Sequence, residues 1–222
     1  MANRTQRTER RSDALSKQRI VETAMEILDT EGESALTFRA LAARLATGAG
    51  AIYWHVDNKN DLLATVAEDV IARALAGVGG TAEPREAIRA IALAVFDAID
   101  AHPWVGAQLS GEPWQPAVLE IFDSLGGRLQ ALGVPEPAQF DAASALVNYI
   151  LGLAGQYAAG ARLLGRETDR SAFLAGVAEQ WTRLGPAKYP FLHRVAAQLA
   201  EHDDRQQFRA GIDLILTGIG TL

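Results

Sequence analysis

Between Thr37 and Asn60 the chain reads TFRALAARLATGAGAIYWHVDNKN, and this stretch leaves little choice of local fold. Leu41, Ala42 and Leu45 recur at helical spacing and form one apolar stripe. Ala46-Thr47-Gly48 then interrupts the pattern, with Gly48 expected to supply a backbone conformation that side chains disfavour. Ala49 to His55 reads as a second short helix whose Ile52 and Val56 point back at the first. Two short helices joined by a three- or four-residue turn containing glycine form a helix-turn-helix, whose second helix enters the major groove of duplex DNA.

The flanks fit a small three-helix unit. Ile20, Ala24, Ile27 and Leu28 predict a helix near Ser16 to Thr30, closed by Gly32. Leu36 and Phe38 are expected to complete its core, and the Thr37 hydroxyl to cap the next helix. Asn58 is expected to cap a connecting helix over residues 61–79, with Asp61 in its first turn and Leu62, Leu63, Val66, Val70 and Ile71 on its apolar side. Before the unit, Arg4, Arg7, Arg10, Arg11, Lys17 and Arg19 stand against Glu9 and Asp13, so residues 1–19 carry +4 on a chain of formal net charge −6. A basic arm on an acidic body points to a local contact with a polyanion.

Beyond the glycines at 77, 79 and 80, apolar residues at helical spacing alternate with Pro and Gly punctuation. Helices are predicted over residues 85–101, 104–110, 113–132, 137–164, 171–184, 191–200 and 204–219, and no stretch alternates with the period of a strand. The fold class is therefore all-α. It comprises a basic arm over residues 1–15, a helix-turn-helix domain over 16–60, a connecting helix over 61–80 and a second helical domain over 81–222. Absence of cysteine excludes a disulfide framework and any Cys-based zinc site. No metalloprotease, Walker or hydrolase-elbow pattern is present, so the chain reads as non-enzymatic and without a cofactor. No apolar run reaches the roughly 18–20 residues of a membrane span, and a cytoplasmic location is expected.

From Lys17 to Leu75, and above all in IYWHVDNKNDLL from Ile52 to Leu63, the chain resembles the DNA-binding domain of the TetR family of bacterial transcriptional regulators. The reading head is close to the tetracycline-repressor type. The body is expected to diverge, because the position where that type carries a His on the connecting helix falls on Leu75. The resemblance implies that Tyr53 and Lys59 clamp backbone phosphates, which sets register without reading sequence. It places Arg39 where the family contacts guanine, whose O6 and N7 match a guanidinium fork. Thr37, Trp54 and His55 join this surface. Ala49, Gly50 and Ala51 at the start of the reading helix offer only backbone and methyl contacts, the latter suited to thymine.

The resemblance further implies a homodimer on a palindromic double-stranded operator, with two helices from each subunit in a four-helix bundle. Small residues along 141–164 and the stripe Phe208, Ile212, Ile215 and Ile219 suit such burial. It also implies a ligand-binding body that receives a hydrophobic small-molecule inducer. The residues expected to face it are His102, Trp104, Gln108, Trp114, Asn148, Gln156, Tyr157 and Trp181, polar or aromatic groups among apolar neighbours. The leading expectation is a ligand-responsive repressor. The alternative is a helical sensor acting through a protein partner without sequence-specific DNA binding.

Overall fold

The computed structural model describes residues 15–79, 83–111, 114–164 and 170–222, and the side chains at 154, 157–159, 161–164, 170 and 200 lie outside the described set. The basic arm over residues 1–14 therefore falls outside it too. Among the described residues the fold is all-α, with no strand. The helices are α1 Lys17–Thr30, α2 Phe38–Arg44, α3 Ala49–Ile52, α4 Lys59–Ala76, α5 Pro84–Ala101, α6 Pro103–Gly111, α7 Pro116–Ala131, α8 Glu136–Leu164, α9 Arg170–Arg183, α10 Pro190–Ala200 and α11 Asp204–Ile219.

The starts of these helices follow from side chains that satisfy otherwise unpaired backbone N–H groups. Ser16, Thr37, Asn58 and Asp203 each accept from the backbone N–H three residues on, opening α1, α2, α4 and α11. Pro84 and Pro190 stand in the first turns of α5 and α10, where a missing N–H costs nothing. Gly32, at φ 82°, turns the chain out of α1.

Two expectations in the turn need correction. The left-handed residue is Ala46, at φ 51°, while Gly48 sits at an ordinary φ of −83°. The reversal comes earlier because α2 ends in a Schellman arrangement: Thr47 N–H reaches the Ala42 carbonyl at 3.0 Å and Ala46 N–H the Ala43 carbonyl at 3.3 Å. The second helix also stops at Ile52 instead of His55, and residues 53–55 form a turn. Gly50, Tyr53, Trp54 and His55 are modest helix formers, and a single turn has little stability of its own.

The chain folds around two apolar cores. The first joins α1, α2, α3 and the start of α4 through Ile20, Ala24, Ile27, Leu41, Ile52, Val56, Leu62, Leu63 and Val66. The second gathers α4 to α8 and α11, with Ile71, Ile88, Val95, Leu109, Ile121, Leu125, Leu146 and Phe208 among its members. Helix α4 belongs to both: Leu62, Leu63 and Val66 enter the first core, and Ala67, Val70 and Ile71 the second. The connecting helix is thus shared, and its first two turns are part of the reading unit.

Within the body, α11 docks through Phe208, whose ring stacks on Phe96 of α5 at 4.9 Å and on Tyr149 of α8 at 5.5 Å. Burial pushes the Tyr149 phenol above its ordinary pKa. Arg89 of α5 pairs with Asp213 of α11, a hydrogen bond that raises its already high pKa. On α8, Gln156, expected to face a ligand, is exposed, as is Ala145, while Leu146, Val147 and Ile150 are buried. On α11 the buried stripe is Phe208, Ile212, Leu216 and Ile219, so Leu216 takes the place expected for half-buried Ile215.

A Cβ at Gly211 would overlap the Tyr149 phenol, whereas one at Gly127, in the middle of α7, meets nothing within 4 Å. Gly211→Ala is expected to lower stability by about 1–3 kcal/mol through overpacking, although alanine is the better helix former. Gly127→Ala is expected to raise it by about 0.5–1 kcal/mol. Urea unfolding of the two variants measures both signs.

Candidate nucleic-acid interface

Thr37, Tyr53 and Lys59, on the outer face of the helix-turn-helix, are each positioned by a contact on the inner side. Thr37 Oγ1 accepts from Ala40 N–H at 3.1 Å, so its own O–H remains available to donate outward. Phe38, next in sequence, stacks on Tyr53 at 4.5 Å with 13° between ring planes. That stack fixes one face of the Tyr53 ring while leaving the residue 53% exposed. Trp54 is 89% exposed, an indole with almost no packing of its own. Burying Ile52 and Val56 on the inner side of the turn places Tyr53 and Trp54 outside.

Lys59 opens α4 and donates from Nζ to the Glu33 carbonyl at 2.7 Å, with Glu33 Oε1 at 3.8 Å. The ammonium is held beside the turn between α1 and α2 with further donor capacity facing out. Its helix start is fixed on both sides: Asp61 N–H donates to Asn58 Oδ1 at 3.0 Å, and Asp61 Oδ2 accepts from Asp57 N–H at 2.9 Å. Arg39, in the first turn of α2, is exposed and makes no ion pair among the described residues. Arg44, by contrast, is engaged with Glu31. His55 is half-buried, as are Ala49 and Ala51, and Gly50 is exposed. The result is a surface with a guanidinium unpaired among the described residues, an ammonium, a phenol, an indole and a nearly bare helix between them. Such a surface supplies charge and hydrogen-bond donors to an anionic backbone and lets main chain come close to a groove. The roles of Phe38 and Glu33 in bracing it had no sequence signal, because each acts across a tertiary contact.

The residues expected to face a ligand do not share one place. His102, at the break between α5 and α6, has Nδ1 2.8 and 3.0 Å from the two carboxylate oxygens of Asp29 on α1. Trp104 Nε1–H donates to Asp29 Oδ1 at 2.8 Å. These two therefore sit at the junction of the reading unit and the body. Asn148 and Gln156 are exposed on α8, and Trp114 is 81% exposed before α7. Gln108 and Trp181 are half-buried, and their side chains make no hydrogen bond among the described residues. The side chain of Tyr157 lies outside the described residues. Sequence reading missed Gln115, which is 6% exposed and donates from Nε2 to the Gln108 carbonyl at 2.7 Å. A groove of about 630 Å³ runs on the outside of the body beside Arg73, Gly77, Leu93, Asp97, Ala98 and Arg205, and none of the eight expected residues lines it.

Known proteins share both parts. Residues 20–66 match the family described as bacterial regulatory proteins, tetR family, and residues 80–222 match the tetracyclin repressor-like C-terminal domain. The second match gives the domain family of the body, while the class D tetracycline repressor of Escherichia coli is 37% identical over only 27% of this chain, in keeping with a body that diverges from that type. Curated relatives include an HTH-type transcriptional regulator of Saccharopolyspora erythraea, 29% identical over 85% of this chain and 78% of that protein. The HTH-type transcriptional repressor DrrR1 of Streptomyces coeruleorubidus is 28% identical over 94% of this chain and 78% of its own length. Among solved structures, the transcriptional regulator SCO7222, a TetR from Streptomyces coelicolor, superposes with TM-score 0.84 at 50% identity, over 94% of this chain and 99% of that one. ActR of the same organism, solved in complex with actinorhodin, gives TM-score 0.76 at 24% identity over 92% and 95% of the two chains.

Proposed function

From the premise that this chain belongs to the TetR family of bacterial transcriptional regulators, we propose that it is a homodimeric repressor released from a palindromic operator by a hydrophobic small molecule. The observation that carries the reading is the outer face of the helix-turn-helix. Arg39 is unpaired among the described residues, Tyr53 and Lys59 are braced from behind, and the helix between them is nearly free of side chains. Tyr53, Lys59 and the Thr37 hydroxyl hold phosphates, with Trp54 and His55 beside them. Arg39 reads a guanine, and Ala49, Gly50 and Ala51 bring backbone and methyl groups against the groove floor.

Two exposed stripes support the dimer. On α8 one runs through Ala145, Asn148 and Gly152, and on α11 another runs through Ala210, Leu214 and Gly218. Neither carries a charge, and Leu214 is 75% exposed, an apolar residue that a second copy of the same helices would cover. Asn148 and Gln156 then belong to the seam between subunits. Resemblance to DrrR1, a repressor by name, supports repression, and the fold shared with ActR is one that receives a small molecule. Gln108 and Trp181 are the half-buried groups we assign to orient the ligand, since each keeps an unused donor.

DNA binding is tested on the duplex upstream of the protein's own coding sequence. Lys59→Gln and Tyr53→Phe should weaken binding to all sequences alike, and Lys59→Gln should reduce the salt slope by about one. Arg39→Ala should relax preference at one base pair, at a cost of about 1–3 kcal/mol. Equal loss by Arg39→Ala on every sequence would remove its assigned role.

Leu214→Glu should convert the dimer to monomer in size-exclusion chromatography with light scattering and abolish tight operator binding, because one head covers only one half-site. A variant that stays dimeric places the seam elsewhere.

A thermal-shift screen of hydrophobic, polycyclic small molecules should yield compounds that stabilise the fold by about 2.7 kcal/mol at a hundredfold excess over Kd. Those same compounds should release the operator duplex, and stabilisers that leave the duplex bound would argue against inducible release.

A further inference from the structure

Asp29 lies in the last turn of α1, inside the reading unit, yet its carboxylate is occupied by the body. It takes the His102 ring nitrogen at 2.8 Å and the Trp104 indole N–H at 2.8 Å, both from the break where α5 bends into α6 by 115°. The Asp29 and His102 side chains are about three-quarters buried, at 27% and 26% exposure. A carboxylate can accept two donors at once, and bonds to a charged acceptor are stronger than neutral ones. An amide in its place would offer one oxygen and turn N–H groups toward the other donor. One turn earlier on α1, Met25 packs against both apolar cores, and so does Trp104. The junction therefore has an apolar side, to which Met25 and the indole each contribute by packing on both cores, and a polar side, the Asp29 carboxylate.

At the other end of α6, Ser110 Oγ donates to the Gly106 carbonyl of its own helix at 2.8 Å and lies 3.3 Å from the Leu151 carbonyl of α8, and a Cβ at Gly155 would come within 3.2 Å of Ser110 Oγ. The nine residues of α6 thus form a short strut between α8 and α1.

We infer that Asp29 is a positioning residue for DNA reading: by accepting from His102 and Trp104 together it locks the reading head at one tilt to the body. Displacement of α6 acts on the head by breaking this pair of bonds. The link from the latch to inducer release rests on the repressor reading above; the latch itself does not.

The chain contains no cysteine, so Gln18→Cys on α1 and Gln130→Cys on α7, both exposed, accept a pair of spin labels in the full-length protein. Dilution with unlabelled chain restricts the measurement to the distance within one subunit. The otherwise unmodified chain should show a single narrow head-to-body distance, and Asp29→Ala and Trp104→Phe should each add a second, displaced population. Trp104→Phe keeps an aromatic ring at the junction while removing three ring atoms, the N–H donor among them, so it tests the latch even where Asp29→Ala perturbs folding. Combining the two should broaden the distribution no further than Asp29→Ala alone, as expected for groups acting through one contact. A single narrow distance retained in Trp104→Phe and Asp29→Ala overturns the latch.

The same variants on the upstream duplex should lose affinity on the order of tenfold. A second distance population with unchanged affinity would overturn the role in DNA reading. Unmodified protein that binds no DNA, with variants that still lose the single distance, would remove the repressor reading and keep the latch.

Discussion

Everything in this fold depends on one helix being buried twice. The 18 residues of α4 give Leu62, Leu63 and Val66 to the core of the reading head and Ala67, Val70 and Ile71 to that of the body. Each set consists of side chains at 0–6% exposure, and fully burying one large aliphatic side chain is worth about 1.5–3 kcal/mol. Neither core closes without its half of α4. The helix is therefore a shared wall, and the two modules cannot move independently of it. On the proposed repressor reading, this shared burial is what makes the body's conformation matter to the head.

The head compensates for a very small reading helix. The four residues of α3 have neither the length nor the propensity to persist alone. Ile52 at 0% and Val56 at 2% exposure anchor the segment to Leu41, and the Phe38–Tyr53 stack and the Lys59–Glu33 contact brace its outer rim. Tertiary packing, not helix propensity, sets the position of this segment. The tight turn is strained in keeping with this: a left-handed Ala46 costs roughly 1–2 kcal/mol, which the surrounding buried residues offset.

Local chemistry was legible in the sequence, and tertiary partnership was not. Thr37 and Asn58 cap the helices they were expected to cap, because a cap is decided within three residues. Leu41, Ile52, Ile88 and Phe96 are buried as their periodicity required. Failures came where two faces of one helix are both uncharged. On α8, Asn148 and Gln156 were expected to face a ligand because their neighbours are apolar, yet they lie on the outer face. A single sequence cannot distinguish a face that packs within the subunit from one awaiting a second copy. His102 and Trp104 were similarly assigned to a ligand by their setting, when their donors point to Asp29, 73 and 75 positions earlier.

Geometry explains why a small contact at that position has leverage. A helix of 18 residues is about 27 Å long, so tilting α4 by about 5° moves its far end by about 2 Å. Hydrogen bonds weaken steeply beyond about 3.2 Å, so a displacement of that size separates a base contact from no contact. In a dimer both heads tilt, and the spacing between half-sites changes with them. On the proposed repressor reading, the body need not unfold or rearrange its core to alter DNA binding; a change in the angle at which α1 and α4 are held suffices. Asp29, Met25 and Trp104 are where that angle is set from the side of α6, and the shared burial of α4 is what converts the angle into a displacement at Arg39 and Tyr53.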